Sequence, residues 1–153
     1  MKTELLSPAG DIESAYSAFY FGADAVYLGL RQFSARADAT NFSAEDLDEI
    51  TAYAHANGKK VYVTINTLVQ ENELPALMDM LKLCDTYQAD AIIVQDLGVA
   101  RLIKKCFPNL NLHASTQMAI HNLAGAKMMK KNGLFPSGIG KGTISSRNYR
   151  NPR

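Results

Sequence analysis

His113, Ser115 and Asp96 are the residue types of a hydrolytic triad, in which an imidazole takes the proton of a serine nucleophile and a carboxylate orients the ring. His113 and Ser115 stand two apart on a segment expected to be extended, so their side chains project to one face. No G-x-S-x-G elbow accompanies them. Ser115 and Asp96 also stand where helix caps belong, so each keeps two readings. A second set is suited to holding a ligand. Asn41, Asn66, Gln95 and Gln117 can donate to and accept from a planar base or amide, while Arg36 can grip a phosphate or carboxylate through a bidentate fork. A hydroxylation or redox step at such a site draws on a cofactor, because side chains alone do not readily perform it.

The elements that must position these residues alternate regularly. Apolar or β-branched runs predict strands over 4–7, 24–29, 60–66, 90–95 and 111–114. Helical spacing and caps predict helices between them: from the Asp11 cap to 21, from the Ser43 cap to 57, then 73–87, 97–106 and 122–131. The strands are almost continuously apolar, as in a parallel sheet with both faces covered. Two architectures satisfy four successive right-handed crossovers, a doubly wound sheet or an arc of a barrel. The even repeat and the missing GxGxxG after the first strand favour the arc.

The expected fold is therefore α/β, a partial (β/α) TIM-barrel-like arc of about five parallel strands with helices outside. At 153 residues the chain is shorter than the roughly 250 of a complete (β/α)8 barrel. The pattern divides the chain into residues 1–133, which carry the repeat, and an irregular basic tail over 134–153 in which no sixth strand is expected. In either architecture a ligand site forms at the carboxyl ends of the strands, which is where Asn41, Asn66, Gln95, Asp96, His113, Ser115 and Gln117 fall, with Arg36 in the longest irregular connection.

Charge is distributed unevenly. Residues 1–96 contain all 15 acids and 6 Lys/Arg, a net of −9, whereas residues 97–153 contain 10 Lys/Arg and no acid. A one-sided basic segment can attract a phosphate backbone, and it can also be a solvated face. Cys84 and Cys106 are far apart, each inside an expected helix, and form no CxxC pair, so buried free thiols are expected, with no metal site or cofactor in this chain. No apolar run approaches the roughly 20 residues that span a bilayer, and the opening MKTELLSPAG lacks a secretory core, so a cytoplasmic location without membrane contact is expected.

The blocks ELLSPAG, GADAVYLG, FSARADATNFS, VYVTINTLV, ADAIIVQDLG and LHASTQMAIHNLAGAKMMKKNG occur in that order and resemble the N-terminal region of the U32 family, named as peptidases or collagenase-like proteases. The resemblance covers roughly residues 4–133 and is closest to a branch linked to hydroxylation of tRNA or 23S rRNA. It implies an RNA partner for the full-length form, an iron–sulfur cluster held by cysteines beyond this sequence, and, for some RNA-acting members, dependence on prephenate. The family's name implies a hydrolase instead, and an inactive fragment or interaction module is a third alternative. The family continues past its counterpart of Gly133 with a valine-rich strand, whereas this chain reads LFPSGIGKG, so a truncation or frameshift is expected and the isolated chain is expected to be inactive. A half-barrel leaves unpaired sheet edges, which points to a homo-oligomer formed through them.

Overall fold

The computed structural model describes residues 4–34 and 40–136. Six strands, β1 (Leu6–Pro8), β2 (Ala25–Gly29), β3 (Lys60–Ile65), β4 (Ala91–Val94), β5 (Leu112–Ala114) and β6 (Leu134–Pro136), alternate with five helices, α1 (Ile12–Tyr20), α2 (Ala44–Ala56), α3 (Leu74–Thr86), α4 (Leu97–Cys106) and α5 (Leu123–Lys131). The strands form one parallel sheet in the order β1-β2-β3-β4-β5-β6. Successive addition on the same side, with a constant crossover hand, puts every helix on one face, so the sheet is an open arc of a (β/α) barrel and not a doubly wound layer.

Local chemistry sets the helix ends. Asp11 accepts the Ser14 backbone N–H at 2.8 Å and Ser14 Oγ accepts the Asp11 N–H at 3.1 Å. Ser43 and Asp46 repeat this reciprocal box at 3.1 and 2.9 Å. Both boxes satisfy donors that a helix start otherwise leaves open. After α1 and α2 the chain turns through Gly22 and Gly58 at φ +98° and +64°, where a side chain would be strained.

The two faces of the sheet differ. Val26, Leu28, Val61, Val63, Ile65, Ile92, Val94 and Leu112 point outward and join Leu47, Ile50, Leu77, Leu81 and Ile103 of the helices in one core. The opposite face is smaller and more polar: Ala25, Tyr62, Ala91 and Ile93 pack with Leu6 and Tyr27. Along β3 the split is plain, with Lys60, Tyr62 and Thr64 alternating with Val61, Val63 and Ile65.

A sixth strand does form, contrary to the sequence expectation. Leu134, Phe135 and Pro136 pair with Leu112, His113 and Ala114. An edge strand needs only an extended chain beside an open ladder, and Leu134, 2% exposed, adds its side chain to the core. Glycines and prolines that would weaken a central strand matter less at an edge: the outer strands β1 and β6 each span three residues and each end in proline, which has no N–H to donate to a further strand. Residues 137–153, the rest of the basic tail, lie outside the described residues.

Two substitutions separate packing from polarity in the helix layer. Leu81→Ala, at a site with no exposure, is expected to lower the unfolding free energy by about 2–5 kcal/mol. Thr51 is 2% exposed and its Oγ1 has no hydrogen-bond partner, so Thr51→Val is expected to be neutral or stabilising. Urea denaturation of both variants checks this pair, and a Thr51→Val loss comparable to that of Leu81→Ala would contradict the reading.

Candidate functional site at the strand ends

The carboxyl ends of the strands form the rim on which the sequence-derived candidates were placed. The β2–α2 connection folds back over this rim. Phe42 N–H bonds Gly29 O at 3.0 Å, Asn41 N–H bonds Gly10 O at 3.2 Å, and Asn66 N–H bonds Phe33 O at 3.2 Å, so one loop is tied to the ends of β1, β2 and β3. This close approach requires Gly29, because a Cβ there would meet Ser34 and come within 3.1 Å of Asn41 Oδ1. Phe33 and Asn41 adopt φ of +60° and +53°, and Ala119, in the β5–α5 connection, adopts +53°. Three of the four non-glycine residues with positive φ among the described residues therefore sit on the rim, where the tertiary contacts hold a conformation the residues would not choose alone.

On the rim stand Asn41, which is buried, and the half-buried Asn66 and Gln95. Gln117 is exposed and lies in a short 3-10 turn, Thr116–Met118, after β5. Arg36 falls outside the described residues. Two clefts open on this side. One of about 550 Å³ is lined by Gln32, Phe33, Thr67, Leu68, Asn72 and Glu73. The other, of about 320 Å³, lies between α4 and α5, with Gln95, Leu97, Met118, Asn122 and Met128 among its walls.

The three triad residue types are used differently. Asp96 caps α4, its Oδ1 accepting the N–H groups of Gly98 and Val99 at 2.7 and 3.0 Å. Ser115 is 6% exposed, and its Oγ accepts the Gln117 N–H at 3.2 Å. The His113 ring lies edge-on to Tyr62, centroids 4.9 Å apart, and its Nδ1 is buried with no hydrogen-bond partner among the described residues. No hydrogen bond links His113, Ser115 and Asp96 among the described residues.

His113 packs beside a polar network on the inner face that the sequence reading did not assign. Tyr62, 4% exposed, donates its hydroxyl to Glu4 Oε1 at 2.7 Å, while Lys60 Nζ reaches Glu4 Oε2 at 2.9 Å. Burial works to raise the Glu4 pKa, but the Tyr62 and Lys60 hydrogen bonds outweigh it and hold the carboxyl below its ordinary value. Burial and the Glu4 charge raise that of Tyr62. For His113 burial dominates over the attraction of Glu4 and lowers the pKa, favouring the neutral ring. The signal was present in the alternation Lys60-Tyr62-Thr64, which marks an inward-facing polar row; the partner Glu4 is 58 residues from Tyr62 and had no local mark.

Neither cysteine fits an iron–sulfur cluster, which takes four thiolate ligands. Cys84 is buried in α3 as expected, with burial raising its thiol to about 12, whereas Cys106, expected to be buried, is exposed because it falls at the last residue of α4. Among the described residues no group of three or more His, Cys, Asp and Glu could hold a metal ion. No described helix is long and apolar enough to cross a membrane.

The fold and rim define an α/β protein built as an arc of a (β/α) barrel with its candidate site at the strand ends. The model of peptidase family U32 matches residues 10–135, and the chain belongs to that family. A protein named as an uncharacterized protease from Methanocaldococcus jannaschii is 44% identical over 128 residues, 84% of this chain and 31% of its own length. The 23S rRNA 5-hydroxycytidine synthase of Escherichia coli is 42% identical over 134 residues, 86% of this chain and 20% of its own. The tRNA hydroxylation protein P1 of Bacillus subtilis is 35% identical over 133 residues, 87% and 32% respectively. The chain thus spans a third or less of the length of these relatives. A solved U32 peptidase shares the fold at a TM-score of 0.65 and 13% identity, covering 87% of this chain and 56% of that one.

The lowered pKa of His113 has a consequence for stability. The unfolded state, with its histidine near 6.5, takes up a proton before the folded state does, so the contribution of His113 is present above about pH 6.5 and is lost as the pH falls through the lower folded pKa. The unfolding free energy of the native chain is expected to decline between about pH 7 and 5 more steeply than that of His113→Phe. Parallel slopes in urea titrations across that range would contradict the assignment.

Proposed function

We propose that this chain forms the amino-terminal part of a protein that takes part in hydroxylating a base of tRNA or 23S rRNA, with the strand-end rim holding the base. The observation that carries the reading is the placement of Asn41, Asn66 and Gln95 on one rim, with the loop that carries Asn41 tied to Gly10, Gly29 and Asn66. Amide side chains match the alternating donors and acceptors of a base edge, and a tied-down loop keeps them in place. The names of the Escherichia coli and Bacillus subtilis relatives support the choice of RNA. In this reading Arg36 holds a phosphate, Gln117 adds a further amide, and His113 lies behind the rim as a neutral ring. The reactive oxygen and any iron–sulfur chemistry come from outside the described residues, and the protein works in the cytoplasm, where its RNA is.

The hydrolase alternative draws on other names, including a collagenase of Porphyromonas gingivalis that is 33% identical over 120 residues. Its geometry is less favourable: Asp96 and Ser115 both serve as caps. Deleting the gene is expected to remove a hydroxylated pyrimidine from tRNA or 23S rRNA, read by mass spectrometry of digested nucleosides. Re-introducing it with Asn66→Ala and Gln95→Ala is expected to restore at most about a tenth of that nucleoside, the scale of loss when a reacting group is mispositioned. Unchanged nucleosides in the deletion strain would reject the proposal, and gelatin cleavage abolished by Ser115→Ala would favour the hydrolase.

A further inference from the structure

Helices α4 and α5 carry matching basic stripes. Arg101, Lys104 and Lys105 stand at i, i+3 and i+4 on α4, and Lys127, Lys130 and Lys131 repeat the same spacing on α5, so each set lies along one side of its helix. All six are exposed. The buried sides of the same helices are formed by Val99, Ala100 and Ile103 and by Met129. Lys104 Nζ bonds Asn132 O, the residue that ends α5, at 2.6 Å and so brings the two stripes together. No Asp or Glu occurs beyond Asp96, and none of the six cations forms an ion pair with a described residue, whereas Lys60 and Lys82 on the other half are paired with Glu4 and Asp79.

Compensation of the helix dipole accounts for lysines in the last turn of a helix, but that effect fades within a turn. Arg101 and Lys127 lie earlier in their helices, so the stripes extend beyond what the helix ends require. At their upper end is the cleft of about 320 Å³, where the exposed Leu97 and Met128 meet the amides of Gln95 and Asn122. Unpaired cations beside an apolar cleft with amide walls match the chemistry of single-stranded nucleic acid, whose phosphates carry charge and whose bases offer apolar faces and polar edges.

We propose that the α4–α5 flank is the surface on which the phosphate backbone of the RNA substrate docks, running from the cleft beside Gln95 down the outside of the arc. The proposal rests on the RNA reading above and adds to it the path of the strand outside the rim. Backbone contacts of this kind set affinity and register without reading sequence.

The test is fluorescence anisotropy of a labelled single-stranded RNA with the 153-residue chain at several salt concentrations. Arg101→Glu, Lys105→Glu, Lys127→Glu and Lys130→Glu are combined, leaving the structural Lys104 in place; a matching set of Gln substitutions guards against loss of folding, and Lys59→Glu with Lys82→Glu serves as a control on the other half. The Glu set is expected to weaken binding at least tenfold and to flatten the log–log salt dependence by about 0.7 per contact removed, roughly 3 for four contacts. The Gln set is expected to weaken it less, and the control to leave it unchanged. Unaltered affinity and slope in both flank sets would overturn the docking surface. So would a wild-type chain that binds no RNA but binds phosphatidylserine vesicles through these residues. The nucleoside measurement separates the two readings: RNA binding untouched by the flank sets while gene deletion still removes the nucleoside refutes only the flank, and flank-dependent RNA binding with unchanged nucleosides refutes only the hydroxylation role.

Discussion

A parallel strand can join its neighbour only through a crossover, and when each new strand is added on the same side every crossover helix falls on one face of the sheet. That constraint organises this molecule. It commits the outward side chains of β2 to β6 to one continuous apolar core with the helices, and it leaves the inner face to be covered by the arc's own side chains. A small face cannot be filled with aliphatic groups alone where Tyr62 and His113 already occupy it, so the buried hydroxyl needs an acceptor. Glu4, ahead of the first strand, supplies it and is itself held by Lys60. The interaction fastens the start of the chain to β3, across the intervening β2.

The same topology separates two kinds of surface. All strand carboxyl ends meet on one rim, and the rim carries the amides, the tied-down loop and most of the positive-φ residues. The helix layer, by contrast, is divided by charge because the acids occur only up to Asp96 while the later helices carry lysines and an arginine that form no ion pair with a described residue. Sequential strand order translates that division along the chain into one around the arc: α4 and α5 are consecutive, so their stripes meet. A doubly wound order would have placed successive basic helices elsewhere on the sheet.

Much of the scaffold could be read residue by residue. The Asp11–Ser14 and Ser43–Asp46 boxes lie within four residues of sequence, as do the turns at Gly22 and Gly58, so the boundaries of α1 and α2 followed closely. β6 was missed because three residues of edge strand have no periodicity to detect; their partner, the open side of β5, exists only once the sheet has formed. Asp96 and Ser115 kept two readings because a cap and a catalytic group use the same oxygen atoms in the same positions along the chain. Hydrogen bonds to Gly98, Val99 and Gln117 place both in caps.

By itself the sequence determined what depends on near neighbours: the alternation of strands and helices, the caps, the polar character of the strand ends and the uneven charge. Tertiary structure decided what depends on distant partners, namely the Glu4–Tyr62 bond across 58 residues, the edge-on packing of the His113 ring against Tyr62, and the folding of the β2–α2 loop over Gly29. The reason is physical. Propensity and capping act through a few adjacent dihedrals and hydrogen bonds, whereas a buried ring or carboxylate takes its charge and orientation from whatever the fold brings within a few ångströms.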